Sequence, residues 1–352
     1  VVYIPKARDD ANDFWTSLLK GAQMAANEYD VDLTILAPDS EQDFEAQVRY
    51  IDEAIAMNPN AIILSPSSKS EITEAANRIV VAGIRLVLID SELDQNLQSI
   101  VVETDNVAAG RKMGEFILTH LPENPVIGVV SHVKSSSTAQ ERYQGLCEGL
   151  GDEKEHIVGT VYCDSNYEKA YNRTKALLEE HPDINILVGL NEYSAIGAGK
   201  AIRDLGLSDS ILMVGFDSSI EEVQMLEEGV FNAIIVQKPF NMGYLGVENT
   251  GLLLRGEILP EMVDSGSELI TKENNAVFQL AAVLIGHGEQ LPAQVLNHET
   301  GHKVLGRVFF RQDQEDGRLL RSKLLSVNGA VKAQDLFHLR IQKRIQSGHC
   351  CG

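Results

Sequence analysis

The feature that most constrains this chain is a rhythm. Over the first 260 residues, short apolar runs alternate with amphipathic stretches of helical period. The runs fall at 2–4, 33–36, 61–64, 86–89, 100–102, 126–130, 157–162, 184–188, 211–214 and 233–236. Most are unbroken by polar residues, as expected of strands covered on both faces. Between them, Phe14, Trp15, Leu18, Leu19, Ala22, Ala25 and Ala26 fall at helical spacing after Asp13. Phe44, Val48, Ile51, Ala54 and Ile55 make a second stripe, and Ala109, Met113, Phe116, Ile117 and Leu121 a third. Strand–helix alternation of this kind predicts βαβ units and parallel sheets. Ten strands are many for one open sheet. Two consecutive sets, 1–104 and 107–236, each supply a doubly wound half with a cleft between them. In such folds a ligand sits beyond the carboxyl ends of the strands.

Composition narrows the partners. The chain has 352 residues and a net charge of −21, which argues against a nucleic-acid binder because a phosphate backbone would be repelled. No apolar run approaches the roughly 18 residues that a membrane span needs. The chain opens on Val1-Val2-Tyr3-Ile4 with no basic leader region, so either a cytosolic protein or one whose leader has been removed is expected. Cys147, Cys163, Cys350 and Cys351 form no CxxC pair and no metal-ligand spacing, which predicts two buried thiols and an exposed terminal pair. From Asn275 onward there are 10 Lys and Arg against 6 Asp and Glu, together with five of the nine His. That reversal of charge marks a boundary.

The strand ends carry the chemistry. Pro5, Lys6 and Arg8, then Asn12, Asp13, Phe14 and Trp15, follow the first strand. Asp90, Ser91 and Glu92 follow the fourth, and Thr104, Asp105 and Asn106 the fifth. The sixth leads to His132, the 135–138 hydroxyl run, Glu141 and Arg142; the seventh leads to Asp164, Asn166 and Tyr167. The last three end at Asn191-Glu192, Asp217-Ser218 and Gln237-Lys238. Carboxylates and amides pair with vicinal hydroxyls, Arg offers a planar fork, and aromatic rings cover the apolar faces of a sugar. Several of these side chains also suit helix N-caps, Asp217 and Asn106 among them.

These residues, in this order, resemble the periplasmic sugar-binding proteins of the ribose/galactose type, the substrate-binding subunits of ABC importers. The resemblance covers residues 1–273 and rests on eight segments. The first four are Phe14-Trp15 before Leu19-Lys20-Gly21-Ala22-Gln23, Ile63-Leu64-Ser65-Pro66, Leu88-Ile89-Asp90, and Thr104-Asp105-Asn106 with Ala109-Gly110. The others are Glu141-Arg142 before Gly145, Leu190-Asn191-Glu192, Val214-Gly215-Phe216-Asp217 and Val236-Gln237-Lys238-Pro239. It implies an α/β fold of two doubly wound parallel-sheet lobes joined by a three-segment hinge, plus a C-terminal extension of unknown fold. One lobe would comprise 1–105 and 238–265, the other 106–237 and 266–274, leaving 275–352 unassigned. The hinges would lie near 104–106, 237–239 and 264–267.

The resemblance also implies a set of ligand-binding residues. Asn12, Phe14 and Trp15 would line one wall, Asp90 would bind hydroxyls with Ser91 beside it, and Arg142 would fork onto ligand oxygens. Tyr167 would stack, Asn191, Asp217 and Gln237 would complete the far lobe, and Lys6 would add a polar contact. Ribose binders carry Arg directly after the aspartate that matches Asp90, whereas this chain has Ser91, which argues for a sugar or polyol other than ribose. The expected protein is a monomer with no cofactor and no enzymatic step. It would lie in the periplasm or be anchored outside the cell membrane, and it would deliver a monosaccharide or polyol to an ABC permease or report it to a sensor.

Competing readings lack their signatures. A dinucleotide enzyme would need a glycine-rich turn after the first strand, and 5–13 contain no glycine. Gly197-Ala198-Gly199-Lys200 matches a phosphate loop only in part and reads as helix. A sugar-responsive repressor would need an N-terminal helix-turn-helix and a basic patch, which the sequence lacks. A receptor or sensor-kinase input lobe shares the same core. In the extension, His298-Glu299-Thr300-Gly301-His302 is a formal HExxH, making His298 and His302 weak zinc candidates. Gly301 weakens the helix such a site needs, and no third ligand stands at a familiar spacing, so no metal is expected.

Overall fold

The computed structural model describes residues 1–275, of which Val1–Glu273 form one compact unit. The extension beyond Asn275, with His298, His302, Cys350 and Cys351, lies outside the described residues. The first half runs β1 (Val2–Ile4), α1 (Asp13–Tyr29), β2 (Thr34–Ile35), α2 (Phe44–Ala56), β3 (Ala61–Leu64), α3 (Thr73–Val81), β4 (Arg85–Ile89) and β5 (Ile100–Glu103). The second runs α4 (Asn106–Thr119), β6 (Ile127–Ser131), α5 (Ser137–Leu150), β7 (Ile157–Tyr162), α6 (Tyr167–Glu180), β8 (Ile186–Gly189), α7 (Glu192–Asp204), β9 (Leu212–Phe216), α8 (Ile220–Glu228) and β10 (Ala233–Gln237). α9 (Pro239–Leu254), β11 (Met262–Asp264) and β12 (Ser267–Thr271) complete it.

Two six-stranded sheets result, in the orders β11-β5-β4-β3-β1-β2 and β12-β10-β9-β8-β6-β7. All neighbours are parallel except β12, which runs antiparallel to β10. Strand order reverses at β1/β3 in the first sheet and at β6/β8 in the second, which opens a crevice at the carboxyl ends of those strands. The chain passes between sheets three times: from β5 to α4, from β10 to α9, and from β11 to β12. β11 and β12 extend the ten expected strands to twelve among the described residues.

The unbroken apolar runs have the expected cause. In the first sheet, Val2, Ile4, Ile62, Leu64, Leu86 and Leu88 pack into one core with residues of α2 and α3. Their neighbours Tyr3, Ile63, Val87 and Ile89 point the other way, into a core with α1 and α9. Alternate residues therefore feed opposite cores, so neither face of the strand can be polar. In the second sheet Val129, Ile186, Val188, Val214 and Ile235 pack with α4 and α5.

Two helix pairs lie against each other with almost no space between backbones. A Cβ added at Gly21 would fall 2.0 Å from the Phe240 carbonyl oxygen, and one at Gly243 2.0 Å from that of Leu18. The other lobe repeats this, Gly145 facing the Val107 carbonyl and Gly110 that of Arg142. This α4–α5 contact holds Arg142 at a fixed depth.

Caps differ in detail from expectation. Asn12 caps α1 by accepting from the Trp15 N–H, and Asn191 shares a capping box with Ser194 on α7. Asn106 and Asp217, however, are not caps: Asp105 caps α4 and Ser219 caps α8. The Asp217 carboxylate is thereby not engaged by the N-terminus of α8. Cys163 is buried as expected, whereas Cys147 is half-buried, because it lies on the outer side of α5.

Candidate ligand-binding crevice

Lys6, Asp90, Arg142 and Asp217, four ionisable side chains from both lobes, are each less than a tenth exposed. Together with neighbouring residues they line one narrow crevice.

Asp90 and Asp217 are structural equivalents. Each follows the fourth strand of its lobe, and each donates its backbone N–H to the next strand, at Val102 (2.9 Å) and Ile235 (2.8 Å). Both have positive φ, 72° and 91°, which turns the chain sharply and aims the carboxylate inward. Backbone strain of this kind costs about 1–3 kcal/mol and clusters at ligand sites. The Asp90 Oδ2 atom pairs with Lys6 Nζ (2.7 Å) and accepts from Ser91 Oγ (2.8 Å), leaving Oδ1 open. Asp217 accepts from the Glu192 N–H (2.9 Å) and from Gln237 Nε2 (2.6 Å). Burial pushes the Asp217 carboxyl up, and the Arg142 guanidinium opposes that shift.

Arg142 rests on the Phe216 ring, its Cζ 3.8 Å from the ring centroid. Its Nε donates to Asn106 Oδ1 (2.9 Å) and its Nη1 to the Leu190 carbonyl (2.8 Å). Of five N–H donors, three remain, all on the terminal nitrogens. Phe14 and Trp15 meet edge to face with centroids 5.0 Å apart and form an apolar wall. Trp15 Nε1 donates to Glu41 Oε1 (2.8 Å), which fixes the indole plane.

Nine of the eleven sequence-identified residues line the crevice: Lys6, Asn12, Phe14, Trp15, Asp90, Arg142, Asn191, Asp217 and Gln237. Ser91 stands behind Asp90 as its hydrogen-bond donor. Tyr167 stands behind the wall, its ring on Tyr193 (4.6 Å) and its hydroxyl donating to Glu192 (2.6 Å). Tyr193 is the aromatic that reaches the crevice there. The lining also includes Glu41, His132, Thr138 and Glu192. His132, Thr138 and Glu192 all appear in the strand-end series. Glu41 follows β2, so applying the same rule to that strand would have found it.

Side chains tie the walls together across the crevice. Glu192 accepts from the backbone N–H groups of Asp13 (3.3 Å) and Phe14 (3.2 Å), placing a carboxyl at the N-terminus of α1. Asp13 returns the contact by accepting from the Ile220 N–H at the start of α8 (3.1 Å). Tyr193 donates to Asp9 (2.6 Å), and Ser165 donates to Glu41 (2.6 Å). Burial pushes Glu192 up to about 8, partly offset by its Tyr167 hydrogen bond. Among the described residues no group of three or more His, Cys, Asp or Glu could hold a metal ion, and no helix is long and apolar enough to cross a membrane.

Residues 1–258 match the model of the periplasmic binding protein domain, and the chain belongs to that family. It is a type I member, with two α/β lobes and three crossing segments. A solved sugar transporter from Clostridium phytofermentans is 46% identical, covering 77% of this chain and 98% of its own, with a TM-score of 0.73. An Agrobacterium vitis ABC transporter solute-binding protein with bound D-fucose is 28% identical, covering 78% and 95%, also at 0.73. The ribose import binding protein RbsB of Bacillus subtilis is 26% identical over 262 residues, 74% of this chain and 84% of its own.

Proposed function

We propose that this chain binds a monosaccharide or closely related polyol between its lobes and delivers it to an ABC permease, without transforming it. The observation that carries this is the pairing of Asp90 and Asp217. Two buried carboxylates at equivalent strand ends, each held in a strained turn, face one crevice from opposite lobes. Arg142 supplies donors between them, and Phe14 and Trp15 supply an apolar wall. Such a set fits a ring with hydroxyls on its edge and C–H groups on its face. Sugars in the crystallised relatives support the same ligand class.

Binding works by closure. The two lobes, 1–105 with 238–265 and 106–237 with 266–274, swing about the three crossing segments. Ligand favours the closed form by bridging both walls. Contacts such as Tyr193 to Asp9 then form at the rim and exclude water. The closed monomer presents a surface for the permease, and the protein acts outside the cytoplasmic membrane, in the periplasm or tethered to the membrane's outer face.

The test is isothermal titration of the full chain with D-ribose, D-allose, D-arabinose and D-fucose. Binding of at least one with a Kd in the micromolar range or tighter is the expected result. If all sugars fail while nucleosides or amino acids bind, the ligand class is rejected and the family remains.

A further inference from the structure

Two buried polar atoms on crevice-lining residues have no partner within the protein: Gln237 Oε1 and His132 Nδ1. Buried polar atoms without partners are uncommon in native folds, and a ligand is one source of the missing bond. Gln237 already belongs to the site described above. His132 lines the same crevice but has so far been given no contact with the ligand, and its hydrogen-bond network fixes what it offers.

The network begins at Lys6. An ammonium can only donate, so Ser136 Oγ accepts from Lys6 Nζ (3.5 Å). Ser136 Oγ lies 2.9 Å from Thr138 Oγ1, which lies 2.9 Å from His132 Nε2. Two proton arrangements are available. In one, Ser136 donates to Thr138 and Thr138 donates to Nε2, so every hydroxyl proton is used. The imidazole proton then sits on Nδ1. In the other, Nε2–H donates to Thr138 and Thr138 donates to Ser136. That leaves the Ser136 proton and the Nδ1 lone pair both unsatisfied in a buried site, two unmet groups instead of one. The first arrangement leaves a single unmet group, the Nδ1–H donor. Burial, with Arg142 and Lys6 nearby, holds the imidazole well below its ordinary value, so the ring is neutral and carries one proton.

We propose that His132 is a ligand-binding and specificity-determining residue whose Nδ1–H donates to an oxygen of the bound sugar. This rests on the sugar reading above. Gln237 Oε1 can only accept, so the two residues demand an oxygen acceptor at one point and a hydroxyl donor at another. A ring bearing hydroxyls at both points satisfies them; a deoxygenated position facing His132 would leave its donor buried and unpaired.

Two measurements on the full chain test this. A long-range ¹H–¹⁵N correlation on protein labelled at histidine reads the tautomer directly. The Nδ1–H form of His132 is expected at pH 7.5, and the Nε2–H form would overturn the proposal. Titration of D-allose, D-ribose and D-fucose into variants gives the second. H132L is expected to weaken the tightest of these by ~10-fold or more. H132N, whose amide nitrogen falls where Nδ1 sits, should recover most of that loss; H132Q, whose amide falls where Nε2 sits, should not. Equal affinity in H132L and the unsubstituted protein, or better rescue by H132Q, overturns the assignment. Were the unsubstituted protein to bind none of D-ribose, D-allose, D-arabinose and D-fucose, the sugar reading would fall, and the tautomer would separately decide the donor.

Discussion

Glu103 ends β5, where the chain leaves the first sheet, and only 5% of it is exposed. Its Oε2 has no hydrogen-bond partner. Burial, followed by repulsion from Glu141, Glu92 and Asp90, pushes its carboxyl up from 4.5 to about 9. The folded chain therefore holds a proton here that the unfolded chain releases near pH 4.5. The sign follows: stability from this group is fully present below about pH 4.5 and is lost as pH rises toward about 9. One pH unit is worth about 1.4 kcal/mol, so the loss at pH 7 is about 3 kcal/mol. Glu103→Gln has nearly the same shape as the protonated acid and carries no such penalty. It is expected to stabilise the protein by about 2–3 kcal/mol at pH 7 and by almost nothing at pH 4. Urea unfolding followed by circular dichroism between pH 4 and 8 measures both. An unchanged slope of stability with pH, or a destabilised variant at pH 7, would refute the reasoning.

Other perturbations test the site and the packing around it. Asp90→Asn and Asp217→Asn keep the shape and tolerate positive φ, yet each is expected to weaken sugar binding by ~10- to 100-fold in calorimetry. Undiminished affinity in both would reject the placement of the site. Gly145→Ala puts a Cβ 2.0 Å from the Val107 carbonyl oxygen, so it should cost roughly 1–3 kcal/mol in urea unfolding and weaken binding by displacing Arg142. Glu192→Ala removes the acceptor for the Asp13 and Phe14 N–H groups, and small-angle scattering should then find a larger radius of gyration with subsaturating sugar. A radius equal to that of the unsubstituted protein would show that closure does not depend on this contact.

Much of this was legible in the residues. Ile62 and Ile63, side by side in an unbroken run, feed opposite cores, so the run itself declares a sheet covered twice. Asp90, Arg142, Asn191 and Asp217 were identified because they follow strands or sit one turn into the next helix. Glu41 is missing from the strand-end series because that series passes over β2, and its particular role depends on meeting Trp15 Nε1. Tyr167 and Tyr193 were indistinguishable in kind; which one reaches the crevice depends on how α6 and α7 pack, with Ala170 and the Tyr167 backbone against Gly197.

Sequence alone determined the alternation of strand and helix, the two-lobed class and the ring of strand ends that lines the crevice, because hydrophobic period and capping are local properties of neighbouring residues. Tertiary structure decided which polar atoms were already satisfied. Asp217 is engaged by the Glu192 N–H and by Gln237 Nε2, and the His132 proton is set by a chain of hydroxyls that reaches back to Lys6 from the other lobe. Side-chain hydrogen bonds, whether between near neighbours or, as from Lys6 to Ser136, across 130 positions, leave no periodic trace in a sequence, so only the assembled fold could show where a donor remained unspent.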